Sequence, residues 1–146
     1  MTDITKHVTS LQLSRELKQI GVPQISYFYW VKGNSEYESE WRVEHDVRGN
    51  EIYNTFFIKY SAFLASELWE ILPHSLEDDY YLEIWKRQPY NAASYRLHGM
   101  KELLCEVQGP RGNLSETLGR TVLYLIKEGL IDVTSLGILN YQILAE

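Results

Sequence analysis

The clearest structural signal in the chain is the stretch GPRGNLSETLGRTVLYLIKEGL, residues 109–130. Asn113 is a favourable helix cap, and Glu116, three residues later, has the spacing that lets a glutamate return to the cap amide in a capping box. Gly129 supplies the left-handed residue that ends a helix, and Leu130 can fold back over the last turn. The stretch therefore predicts an α-helix that begins after Asn113 and ends just before Gly129.

The apolar positions of this helix form a broad stripe. Four residues at helical spacing make its centre and three more widen it: Leu114, Leu118, Val122 and Leu125, then Leu123, Ile126 and Leu130. So broad a stripe predicts a helix that lies across a sheet. Gly119 on the same helix is expected to permit a close approach to that sheet.

Three strands are expected immediately before this helix, at residues 80–87, 93–98 and 102–108. Apolar and polar residues alternate in them with the period of two that is typical of a half-buried strand. The connections are expected at residues 89–91 and 99–100. One face of these strands is expected to hold Tyr80, Leu82, Ile84, Tyr95, Leu97, Leu103, Cys105 and Val107.

The first half of the chain has a similar order of helices and strands. Residues 11–20 and 65–72 have helical patterns, the first ended by a glycine and the second by a proline. Between them, residues 24–31, 40–47 and 51–58 are expected to form an antiparallel meander of three strands. The order is α-β-β-β-α-β-β-β-α. We therefore expect an α+β fold with about six antiparallel strands and with the helices packed on the sheet or sheets.

The length of 146 residues fits a single domain, residues 1–146, with a core of ordinary size. The tail, residues 132–146, is ambiguous because its apolar residues fit helical spacing and strand spacing equally. An apolar tail must be covered, so we expect it to dock on its own domain or on another subunit.

The chain is acidic, with 14 Lys and Arg against 20 Asp and Glu and a net charge of −6. Such a balance favours solubility and opposes general binding to nucleic-acid phosphates. No apolar run reaches the roughly 18 residues that a membrane span needs, and the polar first residues lack a signal-peptide core. The lone Cys105 cannot form an internal disulfide. These features predict a cytoplasmic protein with no membrane segment.

Three segments considered together resemble a known group of sequences. They are LSRELKQIGV (residues 13–22) followed by YFYW (27–30), ASELWEILP (65–73), and SETLGR (115–120) continued by LYLIKEGLI (123–131). Their order and spacing over residues 10–131 resemble small hypothetical proteins encoded by bacteriophages and prophages. The resemblance implies an origin in a bacterial host or its phages, and it carries no activity and no catalytic residue onto this chain.

Potentially reactive residues form no catalytic pattern in the sequence. Glu44-His45-Asp46 holds three possible metal ligands, but alternation along a strand points His45 away from its two acidic neighbours. Cys105 lies in the middle of a strand between apolar residues, where thiols behave as small apolar groups. The sequence therefore predicts no catalytic residue, no metal site and no cofactor.

The turn before the last helix, residues 109–113, has some features of a phosphate-binding loop. It lacks the Gly-Lys-Ser/Thr of a P-loop, and Pro110 removes an amide donor, so a tight strand-to-helix turn is the better interpretation. Arg111 and the N-terminus of the helix can still hold an anion weakly.

Aromatic residues are abundant, with 11 Tyr and 4 Trp. Their apolar rings and polar tips suit both sheet packing and recognition surfaces. The candidate binding residues are Trp30, Tyr80, Tyr81, Trp85, Lys86, Arg87, Tyr90 and Arg96. Within this set the three basic residues are expected to cluster beside Trp85 on the outer face of the second group of strands, a combination that binds single-stranded nucleic acid.

The sequence favours a non-catalytic, phage- or prophage-type domain that binds a protein of the host or of the phage. Its aromatic surplus and apolar tail also predict homo-oligomerisation through the tail or a sheet edge. Two alternatives stay open: a small enzyme whose site forms only in three dimensions, and a weak binder of single-stranded nucleic acid. A deep pocket with a histidine and two carboxylates would favour the first, and a continuous basic patch would favour the second.

Overall fold

A computed structural model of the chain describes residues 3–33, 40–45, 57–77, 79–86, 89–97 and 102–137. These residues form three α-helices and two short 3-10 helices. The α-helices are α1 (Leu11–Gln19), α2 (Ala65–Ile71) and α3 (Leu114–Lys127), and the 3-10 helices span Ile4–Lys6 and Val133–Ser135. All three predicted helices are confirmed, with ends within a residue or so of the expected bounds.

The strands form two antiparallel sheets, which confirms the α+β class. The first sheet contains β1 (Phe28–Gly33), β2 (Arg42–His45) and β3 (Phe57–Ala62). The second contains β4 (Ser75–Leu76), β5 (Tyr80–Lys86), β6 (Tyr90–Leu97) and β7 (Leu103–Pro110). The two-residue β4 was not expected from the sequence.

The first sheet is not the predicted meander. Its order is β2-β1-β3, so β1 is central and pairs with both other strands. β1 also begins at Phe28 rather than at residue 24. Just before it, side-chain contacts link the chain to β3 and to α2. The Gln24 side-chain oxygen accepts a hydrogen bond from Ser61 N at 2.7 Å, and a Glu67 carboxylate oxygen accepts one from Tyr27 N at 3.0 Å. Of the third predicted strand, residues 51–56 lie outside the described residues.

The second sheet follows the predicted order of consecutive hairpins, and its core face holds most of the expected residues. Leu82 lies opposite Tyr95, and Tyr95 lies opposite Cys105. The expectation for Leu103 is wrong, because an irregularity in the pairing after Tyr95 places Leu103 opposite Arg96. Leu103 is exposed, and the next residue, Leu104, packs against the core instead.

The predicted connection at residues 89–91 is also wrong in part. Tyr90 and Asn91 already belong to β6, where they lie opposite Pro110 and Gly109 of β7. β6 is therefore longer at its start than its apolar pattern indicates.

Both ends of α3 are capped by its own sequence. Asn113 accepts a hydrogen bond from Glu116 N at 3.1 Å, as predicted. After the helix, Gly129 has a φ of 72°, and Leu130 N donates to Leu125 O at 2.9 Å in a Schellman cap.

The predicted capping box is wrong, because the Glu116 side chain crosses to another helix. Asn113 N donates to Pro110 O, so the cap amide has a different acceptor. The two Glu116 carboxylate oxygens accept hydrogen bonds from Ser10 N at 2.8 Å and Ser10 Oγ at 2.9 Å. Ser10 is itself the N-cap of α1. One carboxylate therefore joins the N-termini of α1 and α3.

Two glycines fix how closely α3 packs. Gly119 faces the α1 region rather than the sheet: a Cβ there would lie 2.7 Å from Leu13 Cδ2 and 2.8 Å from Thr9 Cγ2. The close approach to the sheet occurs at Gly109 of β7, where a Cβ would lie 2.7 Å from Thr117 Cα. The helix therefore meets its sheet through a glycine of the strand.

The core lies between the three helices and one face of the second sheet. The centre of the α3 stripe, Leu118, Val122 and Leu125, is fully buried there. The described part of the tail docks on its own domain, since Gly137 N donates to Ile71 O at 2.8 Å. Residues 138–146, on which the choice between helix and strand depends, lie outside the described residues.

Candidate functional site: an aromatic sheet face and a basic cleft

Alternation along β5 and β6 creates a surface on the second sheet that faces away from the core. We call it the aromatic face and define it by Tyr81, Glu83, Trp85, Tyr90 and Arg96. Tyr81 and Trp85 are 45% and 39% exposed, whereas Ala93 and Tyr95, on the opposite side of β6, join the core. The period of two thus divides the two strands into an apolar inner side and an aromatic outer side.

Arg96 is held in place at the centre of the aromatic face. Its Nε lies 3.1 Å from Glu83 Oε2, across the β5–β6 pair. Its guanidinium carbon lies 5.2 Å from the centroid of the Trp85 ring, within cation–π range. Only 17% of the Arg96 side chain is exposed. The charge of Arg96 is therefore compensated, and its conformation is set before any partner binds.

Two small residues lie beneath these longer side chains. Ala92 pairs with Trp85 and Ser94 pairs with Glu83, and both are fully buried. Ser94 Oγ has no hydrogen-bond partner among the described residues. The hydroxyl contributes little there, and the small size of Ser94 is what makes room for the side chains above it.

Two predicted binding residues lie elsewhere. Trp30 belongs to β1 of the first sheet, and its Nε1 donates to Thr9 O at 2.8 Å. Tyr80 lies on the core side of β5, and its hydroxyl donates to Glu102 Oε1 at 3.3 Å. Desolvation, and then the negative charge of Glu102, raise the pKa of Tyr80. Both side chains therefore make contacts within the fold and do not belong to the aromatic face.

The expected basic cluster beside Trp85 is wrong for Lys86, whereas Arg96 does lie beside the Trp85 ring on the outer face. Lys86 follows Trp85 in β5 and so points to the opposite side of the sheet, where it pairs with Asn91. Arg96 pairs with Tyr81 on the aromatic face. The third member, Arg87, lies outside the described residues.

Lys86 instead lines a cleft of about 700 Å³ at the end of the second sheet. We call it the basic cleft and define it by four side chains: Lys6, His7, Lys86 and Arg111. They come from the N-terminal segment, from β5 and from the turn before α3. The wall between them is largely apolar and includes Leu64, Ala65 and Leu114.

Backbone contacts hold the N-terminal segment against this cleft. Val8 forms an isolated antiparallel bridge with Leu64, just before α2. Ser115 Oγ donates to His7 O at 2.6 Å, and Asn113 Nδ2 donates to Val8 O at 3.1 Å. The first turn of α3 therefore fixes the backbone that carries Lys6 and His7.

Sequence reasoning found only one of the four basic residues as a candidate for this site. That residue is Arg111, which precedes the N-terminus of a helix. The sequence pattern places Lys86 on the wrong face and gives no sign that Lys6 and His7 lie near it. Lys6 and His7 are about 80 to 105 positions from Lys86 and Arg111, and convergence over such a separation has no local signal in the sequence.

The other candidate reactive groups are held apart. Arg42 Nε forms an ion pair with Glu44 Oε1 at 2.7 Å, while the His45 ring stacks near Tyr27 and meets Phe28 edge-on. The part of the chain that the structure describes holds no group of three His, Cys, Asp or Glu residues placed to bind a metal ion.

Cys105 is buried in β7, and desolvation raises the pKa of its thiol. A raised pKa lowers the fraction of thiolate at neutral pH and so reduces nucleophilicity. Its surroundings are those of a structural cysteine.

Across the described ranges, no helix has the length and apolar character needed to cross a membrane. Comparison of the chain with protein-family models, with curated proteins and with solved structures gives no match.

Proposed function

We propose that this domain is a non-catalytic binding module of a phage or prophage, active in the bacterial cytoplasm, and that its aromatic face docks a partner protein. The observation that carries the proposal is the pair of exposed rings, Tyr81 and Trp85, beside an arginine that is already ordered. Tyr, Trp and Arg are the residue types in which the binding energy of protein interfaces concentrates.

The order of Arg96 favours binding. An arginine that is free in solution loses roughly 0.5–1.5 kcal/mol of conformational entropy when an interface immobilises it. Here Glu83 and the Trp85 ring already hold Arg96 in the unbound protein. Much of this entropy is therefore lost when the domain folds and not when the partner binds.

The charge of the aromatic face indicates what kind of partner it takes. The Glu83–Arg96 pair is neutral as a unit, and the exposed area around it is aromatic. Such a face favours a protein surface with apolar side chains at its centre and hydrogen-bond acceptors near Arg96. It does not favour a polyanion, whose affinity depends on uncompensated positive charge.

The chain offers a matched pair of tryptophans for the test. Trp85 on the aromatic face is 39% exposed and Trp69 on α2 is 38% exposed. Partners would first be cross-linked to the full chain in a lysate of the bacterial host, with and without nuclease. The partner would then be purified and titrated against the wild type, Trp85→Ala and Trp69→Ala. We expect Trp85→Ala to weaken the Kd by about tenfold or more and Trp69→Ala to leave it nearly unchanged.

Three outcomes would contradict the proposal. The first is an equal loss of affinity in both tryptophan variants. The second is a complex that nuclease dissolves, which would favour the nucleic-acid alternative. The third is self-association of the pure chain that Trp85→Ala abolishes in sedimentation experiments, because the aromatic face would then bind a second copy of the chain.

A further inference from the structure

Part of β5 has no neighbouring strand on one side. β4 lies beside β5 only at Ser75 and Leu76, which pair with Tyr81 and Tyr80. β5 continues to Lys86, and β4 is the only strand on this side of it among the strands that the structure describes. The second half of β5 is therefore an edge of the second sheet.

The chain before β4 turns away from this edge and into the core. Pro73 O accepts a hydrogen bond at 2.7 Å from the hydroxyl of Tyr95, which lies on the inner side of β6. Pro73 also has no N–H to donate to a neighbouring strand. The backbone that could have extended β4 along β5 is thus held beneath the sheet, and the edge is left open.

Alternation along β5 identifies the backbone groups that this edge offers. Leu82 N donates to His74 O at 3.0 Å, so the backbone groups of Leu82 point away from β6. Backbone groups of successive residues in an antiparallel strand point to opposite sides, so those of Ile84 and Lys86 also point away from β6. These two N–H and two C=O groups form no hydrogen bond with any residue that the structure describes. We call them the open edge of β5.

Side chains occupy comparable groups on two other end strands. At β3, Gln24 Oε1 accepts a hydrogen bond from Ser61 N at 2.7 Å. At β7, Arg120 Nη1 donates to Gln108 O at 3.3 Å. Exposed strand edges pair readily with other chains, and covering them prevents this. No described side chain covers the open edge of β5 in this way, so its backbone groups are available to a partner.

We propose that the partner protein adds an extended strand to the open edge of β5. This inference rests on the proposed function and specifies the form in which the partner binds. The donors and acceptors of Ile84 and Lys86 recur every two residues, about 7 Å apart, which is the spacing of another extended backbone. An antiparallel strand would form four backbone hydrogen bonds with these two residues.

The side chains beside the open edge indicate which strand it selects. A residue opposite Trp85 would lie on the aromatic face, where the 39% exposed ring favours an aromatic or β-branched neighbour. Residues opposite Ile84 and Lys86 would lie on the inner side. There Ile84 packs against the core, and Lys86 lines the basic cleft together with Leu64 and Ala65. We therefore expect a strand with apolar inner residues and an aromatic residue between them.

The probe for the test is the peptide acetyl-KTVYVTK-amide. Its tyrosine would lie opposite Trp85 and its two valines opposite Ile84 and Lys86. Amide hydrogen exchange of the full chain would be followed by NMR with and without the peptide. We expect saturating peptide to slow exchange at Ile84 and Lys86 about tenfold. The amides of Glu83 and Trp85, which face β6, should be protected already and stay unchanged.

Methylation of the peptide nitrogens supplies a matched control. In the proposed pairing the valine N–H groups face β5 and the tyrosine N–H faces away. Methylation of both valine nitrogens should abolish binding, whereas methylation of the tyrosine nitrogen should change the Kd by no more than about threefold.

Two variants of one residue test the edge from the side of the chain. Lys86→Pro removes an N–H that points away from β6, so it spares the β5–β6 pairing and should weaken the peptide about tenfold or more. Lys86→Ala keeps this N–H and should bind within about threefold of the wild type. Should Lys86→Pro fail to fold by circular dichroism, the methylated peptides decide the test.

Three outcomes would overturn strand addition. The first is no slowing of exchange at Ile84 and Lys86 at millimolar peptide. The second is an equal loss of affinity in the two methylated peptides. The third is protection of these amides in the chain alone that grows with protein concentration, because a second copy would then occupy the edge. None of these outcomes bears on the tryptophan pair, which tests docking of the purified partner whatever its conformation, so the two proposals can fail separately.

Discussion

Trp85 and Lys86 are neighbours in β5 but belong to surfaces of different kinds. Trp85 contributes to the aromatic face, which two adjacent strands build from alternate residues. Lys86 contributes to the basic cleft, which needs the N-terminal segment, the start of α2, two strands and the turn before α3. The aromatic face therefore depends on one hairpin, whereas the basic cleft depends on the packing of the whole domain. A substitution that disturbs the packing of the domain should therefore distort the basic cleft more than the aromatic face.

The largest expected effect comes from Gly109→Val on the core side. Even a Cβ at this position would lie 2.7 Å from Thr117 Cα, so the valine must push the start of α3 away from β7. We expect a loss of about 3 kcal/mol in the free energy of unfolding, from overpacking against backbone. Chemical denaturation would measure it. A loss below about 1 kcal/mol would contradict the close packing of α3 on β7.

A smaller effect is expected from Tyr95→Phe, also on the core side. The Tyr95 hydroxyl donates to Pro73 O at 2.7 Å, and its removal leaves that carbonyl without this donor, at a cost of about 1 kcal/mol near neutral pH. Burial raises the pKa of Tyr95 above its usual value of 10.0. The stability that the neutral hydroxyl provides is therefore present below pH 10 and is lost as the pH rises further.

Denaturation of both proteins between pH 8 and pH 11 would check this prediction. The deficit of Tyr95→Phe should shrink as the pH rises above 10, because only the wild type must keep a tyrosine neutral. Cys105, whose pKa is also raised, is present in both proteins and cancels in the difference. A deficit that stays constant or grows would contradict the assignment.

The smallest effect is expected from Ser94→Ala beneath the aromatic face. Ser94 Oγ is buried without a hydrogen-bond partner among the described residues, so its removal sacrifices no such bond. We expect a gain of up to about 1 kcal/mol or no change in the free energy of unfolding. Thermal unfolding would measure it. A clear loss of stability would show that the hydroxyl has a partner and that the aromatic face is built differently.

Local patterns predicted most of the helical structure. The caps at Asn113 and Gly129 and the apolar stripe between them fix α3, because each signal acts within one or two turns. The inner and outer sides of β5 followed from alternation in the same way. What these patterns could not predict is where side chains reach across the fold.

Two errors share that cause. β1 is the central strand of its sheet. Gln24 binds the backbone of β3 beside it, and Glu67 binds the backbone of Tyr27, just before β1. Glu116 bound Ser10 instead of its own helix. Each contact depends on residues dozens of positions apart, and the basic cleft was missed for the same reason.

The Glu116–Ser10 contact also has a consequence for the time course of folding. The two residues are 106 positions apart, so a growing chain makes α1 long before the carboxylate that binds its N-cap exists. Closing so long a loop has an entropic cost that early local structure cannot offset. The first helix to be synthesised is therefore completed among the last, when α3 arrives. Until then the N-terminal segment has its bridge to Leu64 but lacks the contacts from Asn113 and Ser115, so the backbone that carries Lys6 and His7 is fully held only when the last helix docks.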